Sequence, residues 1–142
     1  MADVWAEATG AASAAHVFDV LTDWPRHREW MPFTKAEGGH GVGADITGWT
    51  GIGPLRFSDT MVITDWRPGE RVEVRHTGRL VRGSAWFAVE PLPGGGSRVV
   101  WTEKLDLPLG VLGRAGWVVV RPVTRVFMGF GLRRLARLAA KG

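Results

Sequence analysis

The chain has 142 residues, a length that suits one hydrophobic core. Hydrophobic residues make up 45% and charged residues 23%, an ordinary balance for a globular protein. There is no cysteine, which excludes disulfides and thiolate metal sites. The formal net charge of +4 raises nucleic acid or an anionic surface as partners. However, the acids are spread through the chain and no more than two basic residues adjoin. The expectation is therefore a solvated basic face and no nucleic acid. Met1-Ala2-Asp3 lacks the basic start and apolar run of a signal peptide, and Trp117–Val120 is too short to span a bilayer. A cytoplasmic location is expected, with peripheral membrane contact open. Oligomeric state is not legible.

Asp3–Thr9 alternates in polarity and reads as a strand. Ser13 is placed as an N-cap before Val17, Phe18 and Leu21, which recur at helical spacing. Trp24-Pro25 starts a second short helix, and Pro32 disfavours helix at Met31 and so closes it. Strand-like segments follow at Phe33–Glu37, Ala44–Thr50, Leu55–Trp66, Arg71–Thr77, Leu80–Glu90 and Ser97–Leu107. Glycine- and proline-rich turns separate them, with no helix between, as in an antiparallel meander. Pro108 breaks the last strand.

Leu109–Lys141 is the longest helical signal. At about 100° per residue, Gly116, Val119, Val123, Val126, Phe127 and Phe130 share a face, opposite Arg114, Arg121 and Arg125. After Gly129 and Gly131 the apolar side moves to Leu132, Leu135, Leu138 and Ala139. Arg133, Arg134 and Arg137 are expected to turn to water. Pro122 should bend the helix or sit where its missing hydrogen bond is tolerated. The order of elements gives an α+β chain of a first strand, two short helices, six antiparallel strands and a long terminal helix. The helix is expected to lie across the concave face of a curved sheet, with a cavity between.

Alternation assigns the inward positions. Leu55, Phe57, Asp59, Met61 and Ile63 share one side of their strand. Val72, Val74 and His76 share a side, as do Ala85, Phe87 and Val89, and as do Val99, Trp101, Glu103 and Leu105. The inward set is apolar except for Asp59, His76 and Glu103, which become the catalytic candidates. A desolvated carboxyl has a raised pKa suited to general acid–base work, with His76 beside it. The competing account gives the acids an arginine partner from Arg56, Arg75, Arg82 or Arg98. His16, His27 and His40 show no metal-ligand spacing, and neither metal nor cofactor is expected. Gly38–Gly43 lacks the Lys-Ser/Thr of a phosphate loop and reads as a hairpin turn.

Eight tryptophans and no tyrosine suit a thick core or an apolar cavity wall. The ligand-contact candidates are Trp30, Phe57, Met61, Phe87, Trp101, Val123, Phe127 and Phe130. The glycine-rich stretch Gly48–Pro54, with Trp49 and Ile52, is read as a mobile gate.

The segments Ser13–Asp23 with Trp24–Pro32, Met61–Val72, Val89–Thr102 and Phe127–Leu138 occur in the order found in a known group. Over its whole length the chain resembles the START-like, helix-grip (SRPBCC) superfamily, in its polyketide cyclase/dehydrase and lipid-transport branch. The resemblance implies a single domain over residues 1–142, with a curved antiparallel sheet of about seven strands wrapped around the terminal helix. It also implies a carrier or sensor for a hydrophobic small molecule that is lipid-like, polyketide or aromatic. The alternatives are a cyclase/dehydratase-type enzyme using the same cavity, or an interaction module using the basic helix face. A coherent polar constellation inside the cavity separates the enzyme from the carrier.

Overall fold

The computed structural model describes residues 2–79, 81–106 and 110–141. Seven antiparallel strands form one sheet in the order β1-β7-β6-β5-β4-β3-β2. They are β1 (Ala2–Gly10), β2 (Thr34–Gly38), β3 (Asp45–Ile52), β4 (Leu55–Arg67), β5 (Arg71–Thr77), β6 (Arg82–Pro91) and β7 (Ser97–Leu105). Helix α1 (Ala14–Leu21) and a 3-10 helix (Trp24–Glu29) separate β1 from β2, and α2 (Gly110–Ala140) ends the chain. This is the helix-grip α+β architecture expected from the sequence. Leu80, Leu107, Pro108 and Leu109 lie outside the described residues, so the expected strand and helix ends there go unexamined.

Local chemistry sets these boundaries. Ser13 caps α1, its hydroxyl accepting from the His16 backbone N–H at 3.2 Å. Pro25 sits in the first turn of the 3-10 helix. The long strand β4 carries a bulge between Ile63 and Asp65. The bulge moves the inward phase by one residue, so that Ile63 and Trp66 both face the core.

The core lies at one end of the sheet. There Val17, Phe18 and Leu21 of α1, Ile63, Val72 and Val99 of the sheet, and Leu132, Leu135 and Ala139 of α2 are all buried. Gly131 lets α2 approach the segment after the 3-10 helix: a Cβ there would collide with Met31 Sδ. Gly131 therefore marks a close crossing, and the second half of α2 packs as its pattern indicates.

The first half of α2 is turned from the expected orientation. Val119, Val123 and Val126 are 72%, 68% and 70% exposed, and Phe130 is 41% exposed. Gly113, Trp117, Thr124 and Phe127 form the partly buried side instead. The cause is the sheet edge. Strand β1 presents buried alanines at 2, 6 and 8, which let the helix come close. Its unpaired edge carbonyl at Asp3 accepts from Arg121 Nε at 2.8 Å. The Arg125 guanidinium lies 5.2 Å from the Trp5 ring centre. The arginine side, expected to face away, therefore grips β1 and carries the valine stripe into solvent. Pro122 does not break the helix; it is exposed, as is Val118, whose carbonyl it leaves free for water.

Leu135 is fully buried where α1, α2 and the sheet meet. Leu135→Ala is expected to lower unfolding stability by about 2–5 kcal/mol, whereas Val123→Ala should change it by less than about 0.5 kcal/mol. Chemical denaturation of the two variants checks the assigned phase of α2.

Candidate functional site

The concave face deepens along β4. Leu55 is 83% exposed, Phe57 41% and Ile63 1%. Asp59 and Met61 lie between them and are partly buried. Helix α2 packs on β1 and more lightly on β7, α1 and the 3-10 helix. Among the described residues it has no comparable packing on β3, β4 or β5. The inward side chains at the Leu55 end of the sheet therefore lack a helix pressed onto them.

Asp59, His76 and Glu103, the three polar inward residues, form one cluster. His76 Nδ1 lies 3.0 Å from Asp59 Oδ1, and His76 Nε2 lies 3.1 Å from Glu103 Oε2. Asp59 is on β4 and His76 on β5, near the Met61–His76 register pair. Glu103 is on β7, with β6 intervening. Strands two apart are separated by about 10 Å, so this contact needs small residues on the strand between. Strand β6 supplies Gly83 opposite His76 and Ala85 opposite Glu103. At Gly83, with φ +115°, a Cβ would collide with the Lys104 carbonyl oxygen, so the position excludes side chains. No arginine reaches either acid among the described ion pairs. Arg98, one candidate partner, pairs with Glu7 and Glu90.

Burial acts on both ends of this cluster. It pushes the His76 imidazole toward the neutral form, but the hydrogen bonds and charges of Asp59 and Glu103 outweigh it. The net effect raises the His76 pKa from 6.5 to about 10. Burial pushes the Glu103 carboxyl up, and the His76 hydrogen bond and charge offset this only in part. At neutral pH His76 is thus an imidazolium with a donor on each side, held between Asp59 and a Glu103 carboxyl whose pKa lies above its ordinary value. Such a set can hold, donate and accept protons.

An aromatic wall adjoins the cluster. Phe87 and Trp101 are register partners on β6 and β7, and their rings stack at 4.8 Å. Trp30 meets both edge-on, at 6.2 and 6.4 Å. Trp30 is fully buried and forms the floor of this wall. Its Nε1 and that of Trp101 are buried without a hydrogen-bond partner among the described residues. The Trp101 indole N–H lies near enough to pull the Glu103 pKa downward, yet makes no hydrogen bond of normal geometry. His27 packs edge-on against Trp30 at 4.4 Å; burial lowers its pKa to about 4, leaving it neutral.

The other candidate residues are placed differently. Phe57 and Met61 lie on the concave side, and Phe127 is half-buried against the core. Val123 and Phe130 lie on the exposed stripe of α2. Trp49 is no gate. It lies within β3, paired with Lys35 and Ser58, on the face opposite buried Ile46 and Gly48. Lys35 Nζ lies 5.6 Å from its ring centre. Strand β3 continues through the glycines to Ile52, so only the turn after Ile52 is loop. Trp5 and Trp86 likewise stack with arginine or lysine.

Among the described residues no group of acids, histidines or cysteines has the arrangement to hold a metal ion. A groove of about 700 Å³ runs outside α2, lined by Asp3, Trp5, Arg114, Trp117 and Arg121 among others, and contains none of the cluster. The family model described as polyketide cyclase/dehydrase and lipid transport matches residues 1–140. The chain belongs to that family. Similar solved structures include TTHA0849 from Thermus thermophilus, with TM-score 0.82 and 16% identity over 99% of this chain and 98% of that one. The Zhui aromatase/cyclase from Streptomyces sp. R1128 aligns with TM-score 0.81 and 17% identity, over 99% and 94% of the two chains. The di-domain ARO/CYC BexL from the BE-7585A biosynthetic pathway aligns with TM-score 0.76 and 15% identity; the whole of this chain covers 48% of it. At such identities the likeness is one of fold. No curated protein matches the sequence.

The sign of the His76 shift fixes a pH dependence. A histidine whose pKa is raised by folding contributes stability that is complete below about pH 6.5 and is lost as pH rises through about 10. Melting temperatures measured from pH 6 to 10.5 should therefore fall more for the wild type than for His76→Gln. The His76 ring nitrogens should also retain the imidazolium NMR signature at pH 8.

Proposed function

We propose that the concave face binds a hydrophobic, carbonyl- or hydroxyl-bearing small molecule and acts on it by proton transfer, as a cyclase or dehydratase does. The observation that supports this reading is the Asp59–His76–Glu103 cluster. It is a coherent polar set beside an aromatic wall, on the part of the sheet that α2 leaves uncovered. Family membership and the likeness to aromatase/cyclases in fold agree with it.

In this reading the apolar body of the ligand lies along Phe57, Met61, Phe87 and Trp101, with Phe127 closing the helix side. Asp59, nearer the open end, takes a proton from the carbon beside a ligand carbonyl. Glu103 in its carboxyl form gives a proton to the oxygen that becomes alkoxide or leaves as water. His76 stays protonated between them and holds the two carboxyls apart in charge. Proton count balances: one is removed from carbon, one is delivered to oxygen, and solvent exchange resets the two acids.

A carrier with no chemistry is the second reading, because both ring nitrogens of His76 are already committed to carboxylates. One experiment separates the two. Apolar aromatic and β-hydroxycarbonyl compounds are screened by tryptophan fluorescence, and those that bind are incubated and analysed by mass spectrometry. The enzyme reading expects loss of water or ring closure, falling by about 10²–10⁴-fold in Glu103→Gln while binding persists. Binding with unchanged ligand in every case leaves the carrier; no binding across the panel overturns both.

A further inference from the structure

The antiparallel register places several features at one end of the molecule. The end of β7 at Leu105 pairs with Gly83 at the start of β6, which pairs with His76 near the end of β5, which pairs with Met61 of β4. That end therefore also holds the β3–β4 turn, the start of β2 and the first turns of α2, which follows β7. It is the uncovered end of the concave face.

Its rim is unusually apolar. Phe33 is 64% exposed, Ile52 62% and Leu55 83%. These three form one tip: the Phe33 carbonyl accepts from Gly51 N–H at 2.9 Å, and Ile52 pairs with Leu55. On the first turns of α2, Leu112 and Val119 are also more than 70% exposed. Single exposed apolar residues are ordinary, but three gathered at one tip mark a contact surface. Phe33 adds an independent sign. Its φ of 59° lies in the left-handed region, where it is the one non-glycine among the described residues. A strained backbone that displays a phenyl ring to water is not explained by the fold.

The charge around this rim selects the occupant. Arg56, Arg79, Arg82 and Arg114 are all exposed there, outnumbering the exposed acids Asp3 and Asp106, and none of the four takes part in a described ion pair. At the opposite end Arg67, Arg71 and Arg98 are paired with acids. An apolar tip inside a collar of unneutralised arginines fits a lipid surface with anionic headgroups. The hydrocarbon boundary takes the apolar groups and the phosphates take the guanidiniums.

We propose that the open end of the fold docks on an anionic lipid bilayer. Phe33, Ile52 and Leu55 enter the headgroup boundary, the arginine collar meets lipid phosphates, and the concave face opens toward the membrane. An apolar ligand then passes between bilayer and site without crossing water.

The test is co-sedimentation of the full chain with vesicles. Phosphatidylcholine vesicles are compared with vesicles containing phosphatidylglycerol, at low and high salt, without any ligand. The expected result is binding to the anionic vesicles at least about tenfold tighter than to the neutral ones, weakened by salt. Leu55→Glu should abolish it with an unchanged melting temperature. Phe33→Asn, which suits the left-handed backbone, should hold or raise the melting temperature while weakening binding. A purely structural role for Phe33 would not give that pairing. The proposal is overturned if the folded wild type binds neither vesicle, if it binds both alike, or if the variants bind as the wild type does. It is also overturned if light scattering shows a dimer that Leu55→Glu dissociates, with no vesicle binding, since the face then joins two copies of this chain. Because no turnover is read, failure here leaves the proton-transfer reading standing, and the converse holds.

Discussion

A curved sheet of seven strands offers a concave face much larger than one helix can cover. In this chain the covering helix is further tied to one edge. Arg121 bonds to the Asp3 carbonyl, Arg125 lies against Trp5, and the alanines of β1 admit the helix closely. These contacts pull α2 toward β1 and away from β3, β4 and β5. At the α1 end the loss is made good by Phe18, Leu21, Leu132 and Leu135, which fill the space with side chains. Among the described residues nothing comparable fills the other end. The gradient from Ile63 to Leu55 along β4 is the direct consequence, and the polar cluster sits part-way down that gradient.

The cluster depends on an absence as much as on its members. An imidazole can bridge two carboxyls because it carries a donor on each side of the ring when protonated. To do so across β6 it needs that strand to present almost nothing at Gly83 and Ala85. A larger residue at Ala85 would insulate Glu103 from His76, and any side chain at Gly83 would strike the β7 backbone. Glu103 would then be a buried acid with no cation in reach, and it would take up a proton or unfold the strand end. The raised pKa of His76 and the small residues of β6 are thus parts of one arrangement. Trp101 completes it on the far side, with an indole N–H that lies near the Glu103 carboxyl and has no partner of its own.

Strand periodicity carried most of this in the sequence. A period of two residues per repeat needs no knowledge of tertiary contacts, so it placed Asp59, His76 and Glu103 on one face. Turn chemistry likewise marked nearly every strand end. The pairing within the cluster was not legible in the same way. Alternation says which residues share a face, while the register across three strands decides which of them touch. Hence an arginine partner and His76 both stayed open for the acids; the two donors of an imidazolium among two inward acids were the clue that separates them. The first half of α2 was misread for a different reason. A helical wheel finds an apolar stripe, and burial is then assumed. Here the edge of β1 competes for the arginine side and wins, and the valines remain outside. Trp49 shows the same limit: glycine neighbours signal a loop only when no partner strand pairs with them, and here β2 and β4 both do.

The exposed valines and the buried acids follow from one rotation of α2. Had the helix turned its valine stripe onto β3 and β4, the concave face would have become a continuous apolar core. Asp59 would then have lost the solvent that a carboxylate needs. The same turn would have removed Arg121 and Arg125 from β1 and left its edge carbonyls to water or to another chain. The orientation observed satisfies the sheet edge and keeps the acids near water. Its cost is apolar surface left outside: Val119, Val123 and Val126 on the helix. The sheet edge and the polar cluster thus set the orientation of α2 together, and the apolar stripe is what that orientation leaves unburied.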